Sequence, residues 1–252
     1  MTEKKTKSKF KRKLIFFLML ILIMVFGFIA IKSDVFYIKE IVVVDNFKLT
    51  KSYVKEKTNI NDRDNIFLID LDQIKTMLEN ETYIKNANIR RRFPDKLVIN
   101  IEERKGRISY NYKYKKYLLD FEGFLLEEIK KSDDLFIIES KIETDTKIGK
   151  KITFKNSIIK FDKILNISRY IYENNKNLNC NILLKDDNIY CVIEKNTYIK
   201  FDLTENLNYQ YEFGIDIMET RINEGQSIKG VIDFTKGDNP IYVDFKDLEE
   251  EI

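Results

Sequence analysis

Histidine and tryptophan are absent from the 252 residues, and the chain has only two cysteines and two prolines. Without histidine it lacks the commonest general base and metal ligand. Two separated cysteines cannot by themselves complete a zinc site of ordinary type. Neither G-x-S-x-G nor a P-loop occurs, and no S-x-x-K nucleophile motif is expected. The carboxylate pairs Glu102-Glu103 and Asp186-Asp187 are adjacent and read as solvated, and a carboxylate-only hydrolase is the enzymatic class that composition leaves open. The residues thus point to no cofactor, no metal and no catalytic centre. A balance of 44 Lys and Arg against 41 Asp and Glu leaves +3, too little for a chain that binds nucleic acid over its whole surface. The length suits one or two domains with a real core.

What charge there is begins at the N-terminus, where seven of the first thirteen residues are Lys or Arg. LIFFLMLILIMVFGFIAI, Leu14 to Ile31, follows as eighteen residues without a charge. At about 1.5 Å per residue that helix reaches ~27 Å, close to the hydrocarbon thickness of a bilayer. A cleaved signal peptide has a shorter apolar stretch that ends in small residues. Here only Ala30 is small near the end, so an uncleaved transmembrane helix over 14–31 is expected. The basic flank places residues 1–13 in the cytoplasm and the rest of the chain outside.

The exported part opens with VFYIKEIVVVDN, read as a strand within Val35 to Asn46 that ends in an Asp45-Asn46 turn. Thr50 to Thr58 is a short helix with Thr50 or Ser52 as its cap. Leu71, Ile74 and Leu78 share a helical face behind Asp70, which is followed three residues later by Gln73 as in a capping box. Tyr83 to Phe93 and Lys96 to Glu103 are strands around a Pro94-Asp95 turn. Alternation sends Leu97, Ile99 and Ile101 to one face, and sends Ala87, Ile89, Arg91 and Phe93 to one side of the partner strand. The three arginines are therefore split. Arg90 and Arg92 lie on a solvated or protein-contact surface of the hairpin, where Arg92 is expected to pair with Glu102 or Glu103 across the strands, and they form no nucleic-acid patch.

This order and these residues carry a resemblance. FYIKEIVVVDN, NIFLIDLDQI and YIKNANIRRRFPDKLVINIEER resemble the polypeptide-transport-associated, or POTRA, domain of the FtsQ/DivIB cell-division family. The spacing A-x-I-x-R-x-F-P-x-x-L-x-I-x-I-x-E-R is its most specific part. The resemblance implies an α+β protein: a 1–13 basic tail, one span over 14–31, a β-α-α-β-β POTRA domain over 35–104, a mixed β-domain with flanking helices over 105–246, and an acidic tail over 247–252. Within the β-domain, YLLDFEGFLLEE is similar to the family's opening strand and Asp-x-x-Gly. Two strand-like pieces around DFEG, a helix within Phe154 to Asn174 that includes Ile158, three strands within Cys180 to Leu203, a helix from Asn206 to Arg221, and strands at Val231 to Phe234 and Ile241 to Phe245 complete the expectation. No long Pro/Gly/Ser linker and no internal repeat is found.

The resemblance also implies a function. The chain is expected to be a non-catalytic single-pass scaffold of the bacterial division septum, with its C-terminal domain outside the cell membrane. Its partners would be DivIC/FtsB-like and FtsL-like proteins and the septal peptidoglycan synthesis machinery. By position, Ile241, Tyr242, Val243, Asp244 and Phe245 are carried over as partner contacts, with Tyr242 as aromatic anchor. A POTRA-bearing envelope secretion or sporulation assembly protein is the alternative. High Lys, Ile and Asn without Trp suggests an AT-rich genome.

Cys180 and Cys191 flank KDDN, a hairpin in which Ile182 faces Cys191 and Cys180 faces Ile193. The thiols then share a face on a diagonal, near the outer limit of disulfide geometry. Two buried apolar residues and a disulfide bridge are both compatible with this. Alkylation of the unfolded, unreduced chain followed by mass measurement separates them, because two modified thiols exclude the bridge.

Overall fold

The computed structural model describes residues 3–61, 63–155, 157–174, 180–194, 196–237 and 239–244. The chain divides into two compact units, Met1–Glu103 and Arg104–Ile252.

The first unit begins with α1 (Glu3–Lys32), which contains a stretch, Lys11–Ile29, long and apolar enough to cross a membrane. A single 3-10 turn, Asp34–Phe36, follows and is capped by Ser33. The first strand is shorter than the sequence suggests: β1 is Glu40–Val44, and Asp45 ends it at φ 62°. α2 (Lys51–Thr58) is capped by Thr50, whose hydroxyl accepts from Tyr53 N at 3.2 Å. α3 (Leu71–Glu79) is capped by Asp70, which accepts from Asp72 N and Gln73 N. β2 (Ile84–Arg92) and β3 (Lys96–Glu103) complete a sheet of order β1-β3-β2, with β1 parallel and β2 antiparallel to β3. The Phe93-Pro94 bond in the hairpin turn is cis.

This is the expected β-α-α-β-β order, and the alternation dictates its core. Ile99, Ile101 and Ala87 meet Val54, Ile74 and Leu78 of the helices, while Leu97 joins Ile38 and Ile66 in a neighbouring cluster. Glu81, just past α3, ties α2 down. It accepts the Tyr53 hydroxyl at 2.5 Å and pairs with Lys57 at 2.9 Å. Burial alone would raise the Glu81 pKa, but these two donors outweigh it and hold the carboxyl below its ordinary value.

In the second unit β4 (Ile108–Tyr112), β5 (Lys115–Leu119) and β6 (Leu125–Ile129) form a meander, so the segment around DFEG holds three strands where two were expected. β7 (Phe136–Ser140) and the two-residue pair β8 (Thr144–Asp145) and β9 (Thr153–Phe154) follow. α4 (Phe161–Asn174) starts later than periodicity implies. Ser157 Oγ donates to Asp187 Oδ1 at 2.5 Å and accepts from Ile159 N at 3.0 Å, which holds Ile158 outside the helix and largely exposed. β10 (Asn181–Lys185), β11 (Asn188–Glu194), β12 (Thr197–Lys200), α5 (Leu207–Asn223), β13 (Gly230–Asp233) and β14 (Ile241–Asp244) end the unit.

Nine strands make one sheet in the order β14-β13-β12-β11-β10-β7-β4-β5-β6. Ile138, Ile182, Cys191, Ile199 and Ile232 all point to one face and pack with α4 and α5 in a single core. Tyr110, fully buried there, donates to Thr144 Oγ1 at 2.6 Å, because Thr144 spends its own proton on Ile142 O at 2.8 Å. Burial pushes the Tyr110 phenol up to about 12. Cys180 and Cys191 are buried free thiols, and Cys180 Sγ lies 3.5 Å from the Tyr211 hydroxyl. The hydrogen bond that Cys191 donates to Cys180, together with complete burial, pushes the Cys191 thiol well up.

Gly214 weakens α5 as a sequence, yet it is what lets the helix approach the sheet. A Cβ there would stand 2.5 Å from Ile199 Cδ1. Gly214→Leu is expected to destabilise the full chain by about 1–3 kcal/mol, and Ile199→Ala in the same chain to recover part of that loss. Urea unfolding followed by circular dichroism in detergent checks both. A Gly214→Leu chain as stable as the parent would contradict the packing.

Candidate partner-binding surfaces

The hairpin β2–β3 splits its arginines as alternation requires, but the pairs differ from expectation. Arg92 lies opposite Lys96, Arg90 opposite Val98, and Glu102 opposite Asn86. Arg92 and Glu102 therefore sit near opposite ends of the ladder, too far apart at about 3.4 Å per residue to pair. Glu102 instead meets Lys85 at 2.9 Å, Arg90 Nε donates to Asn88 Oδ1 at 3.1 Å, and Lys96 turns to Glu40. Arg90, Arg92 and Glu102 are all exposed.

Their immediate neighbours Arg91 and Glu103 hold distant backbone in place. Arg91 donates through Nε to Ile66 O and through Nη2 to Ile69 O, both at 2.7 Å. Glu103, expected to be solvated, accepts from Phe47 N and Lys48 N at 2.7 Å and from Leu49 N at 3.0 Å. It thereby satisfies the loop that leads into α2. The partners stand more than twenty residues away in the chain, so no local signal marks either role.

In the second unit Asp120 explains DFEG. Its Oδ1 accepts from Glu122 N and Phe124 N at 2.9 Å, its Oδ2 takes Arg104 Nη1 at 2.8 Å, and Gly123 turns the chain at φ 83°. Arg104 also reaches Glu122 at 3.1 Å and lies 3.5 Å over the Phe124 ring. The expectation of no S-x-x-K motif is corrected by the sequence itself, since Ser52–Lys55 and Ser157–Lys160 have that spacing, as does Ser8–Lys11 in the basic tail. Ser52 is bonded to the Thr50 hydroxyl at 3.0 Å and Ser157 to Asp187, as above, so each of these two hydroxyls is committed to a structural hydrogen bond. Among the described residues no group of three or more Cys, Asp or Glu could hold a metal ion.

β14 is the terminal strand of the nine-stranded sheet, paired to β13 from Asp233↔Ile241 to Gly230↔Asp244. Ile241 is 48% exposed and Val243 half-buried. The face turned away from α4 and α5 carries an apolar row that reaches this edge, with Val192, Tyr198, Val231 and Val243 in register. Tyr242 points the other way. Its ring lies under the Arg221 guanidinium at 3.5 Å and over Gly230, where a Cβ would come within 2.9 Å of the ring. The Tyr242 side chain is thus engaged within its own domain. Its buried hydroxyl has no hydrogen-bond partner among the described residues. Phe245, and the tail over 247–252, lie outside the described residues.

The fold and the spacing of the hairpin agree with the comparisons. Residues 36–104 match the model of the FtsQ-type POTRA domain. Cell division protein DivIB of Clostridium tetani is 29% identical over 214 residues, covering 80% of this chain and 78% of the relative. Over most of its length the chain is similar to members of the FtsQ/DivIB family. A second member, cell division protein DivIB of Clostridium botulinum strain Loch Maree, is 24% identical over 247 residues, covering 95% of this chain and 93% of its own length. Cell division protein FtsQ of Syntrophotalea carbinolica is 31% identical over 109 residues, 43% of this chain and 38% of the relative.

The FtsQ-type POTRA unit makes a sharp distinction among its three arginines. Arg91→Met leaves the Ile66 and Ile69 carbonyls without their charged donor and is expected to cost about 2–4 kcal/mol. Arg90→Met and Arg92→Met, on the exposed face, should stay within about 0.5 kcal/mol of the parent. Urea unfolding of the full chain in detergent distinguishes them, and equal losses at all three would refute the assignment.

Proposed function

We propose that this FtsQ/DivIB-family chain is a non-catalytic membrane scaffold of bacterial cell division. The basic tail stays in the cytoplasm, α1 crosses the membrane once, and both units stand outside it at the septum. The names of its relatives support a role in division. The second unit works by strand addition. A DivIC/FtsB-like ectodomain, itself paired with an FtsL-like protein, contributes a strand to the outer side of β14 and so couples the chain to septal peptidoglycan synthesis.

The observation that carries this reading is the edge itself. Terminal strands offer backbone groups to an incoming chain, and here the apolar row Val192, Tyr198, Val231 and Val243 runs up to the strand that would receive it. An added strand would extend that row and bury Ile241. Tyr242 serves less as an anchor than as a brace that holds β14 on β13 through Gly230.

Ile241→Lys together with Val243→Lys is expected to weaken binding of the full chain to the DivIC-like ectodomain of the same cell by about tenfold or more, equivalent to ~1.4 kcal/mol. Titration calorimetry in detergent measures the loss, and an unchanged circular dichroism spectrum shows that β14 is still in place. Unaltered affinity would sink strand addition at this edge. Failure of the parent chain to bind at all would reinstate the secretion or sporulation reading.

A further inference from the structure

The first unit exposes a contiguous aromatic surface in which Phe36 also packs against the core, beside Ile38 and Ile66, while Phe67 and Phe93 stand outside it. Phe36 and Phe67 have ring centroids 5.0 Å apart, and Phe67 stacks on Phe93 at 5.1 Å and 28°. Phe67 is 44%, Leu68 64% and Phe93 56% exposed, with Val35 beside Phe36 at 53%. Isolated exposed apolar residues are ordinary, whereas a continuous patch of this size marks a binding surface.

The patch is held in place by design of the backbone. Ile66 N donates to Phe36 O at 2.9 Å, Phe67 N to Asn65 Oδ1 at 2.9 Å, and Leu68 N to Asn65 O at 3.0 Å. Arg91 then grips the carbonyls of Ile66 and Ile69 on either side of Phe67 and Leu68. With Ile66 fully buried, the next two side chains are turned outward by a clamped turn.

We propose that Val35, Phe36, Phe67, Leu68 and Phe93 dock into the outer surface of the phospholipid bilayer, at the boundary of headgroups and acyl chains. Chain connectivity selects that occupant. Phe36 follows the end of α1 at Lys32 by four residues, which span at most about 14 Å when fully extended. The 3-10 turn over Asp34–Phe36 shortens that reach further. The polar zone of a bilayer adds only about 5–8 Å beyond the hydrocarbon on each side, so the first ring cannot leave the neighbourhood of the membrane; Phe67 lies against it, and Phe93 stacks on Phe67. Apolar rings at that depth gain burial without displacing any partner. The proposal rests on α1 crossing the membrane as described above.

The absence of tryptophan from the chain makes the test direct. Phe67→Trp and Phe93→Trp each introduce a single indole, as do Phe26→Trp within α1 and Phe47→Trp. Phe47 is 95% exposed at the far end of the same sheet, beside Glu103 rather than the Phe93 turn. The full chain is reconstituted in phosphatidylcholine vesicles with and without bromine on the upper acyl chain. Emission of Phe67→Trp and Phe93→Trp should be blue-shifted and fall to about half in brominated lipid, as an interfacial residue requires, while that of Phe47→Trp stays nearly unchanged. If Phe26→Trp is quenched but positions 67 and 93 behave like position 47, the docking proposal is overturned and the anchor stands. If Phe26→Trp also escapes quenching, the membrane-spanning reading falls and the docking proposal with it. Blue-shifted emission at 67 and 93 without bromine quenching would show the rings covered by a second copy of the chain, and would equally overturn docking to lipid.

Discussion

A charge drawn out of water must be met by partners where it lands, and the segment from Arg91 to Arg104 is organised by that constraint. Arg91 meets two carbonyls, Glu103 meets three amides, and Arg104 meets Asp120 with exposures of 9% and 7% for the two side chains. Each of these contacts closes a loop that has no regular secondary structure to satisfy its own backbone. The loop after β1, the turn before α3 and the DFEG turn all depend on a charge supplied from this one stretch. Glu103 and Arg104 are neighbours, yet the first closes the first compact unit and the second opens the other.

The β-domain uses a different economy. Both helices pack on one face of the nine-stranded sheet, and the other face keeps an apolar row that ends at β14. One face therefore supplies the core, and among the described residues β14 ends the sheet. Gly214 and Gly230 are two of the places where this arrangement needs the absence of a side chain: the first lets α5 reach Ile199, and the second lets the Tyr242 ring lie across its neighbouring strand. In the POTRA unit the same division holds on a smaller scale, with helices over one side of β1-β3-β2 and the rings of Phe67 and Phe93 left outside the core.

Some of this was legible in the chain and some was not, for reasons visible in particular residues. The turns at Asp186-Asp187 and Lys113-Tyr114 both place two consecutive residues at positive φ, 48° and 57° in one and 47° and 63° in the other. The first was readable because aspartate tolerates that conformation. The second was not, because Lys and Tyr carry no such preference and only the pairing of β4 with β5 imposes it. Ile158 fits the helical period of α4 but is pulled out of it by Ser157, whose partner Asp187 is thirty residues away. The pairing of Arg92 with Glu102 failed for a simpler reason: alternation assigns faces, whereas the distance along a hairpin is set by where the turn lies.

Period and local chemistry by themselves determined the apolar first helix, the β-α-α-β-β order, the cap at Asp70, the choice between Thr50 and Ser52 at the start of α2, and the buried side of the POTRA hairpin strands, since these follow from neighbours within a few residues. The tertiary structure alone decided that Arg91 clamps a loop, that Glu103 serves three distant amides, that Tyr242 faces its own domain, and that β14 ends the sheet. Those outcomes depend on which groups meet across tens of residues. A buried polar group takes whatever partner the fold brings within about 3 Å, and nothing in its immediate sequence names that partner.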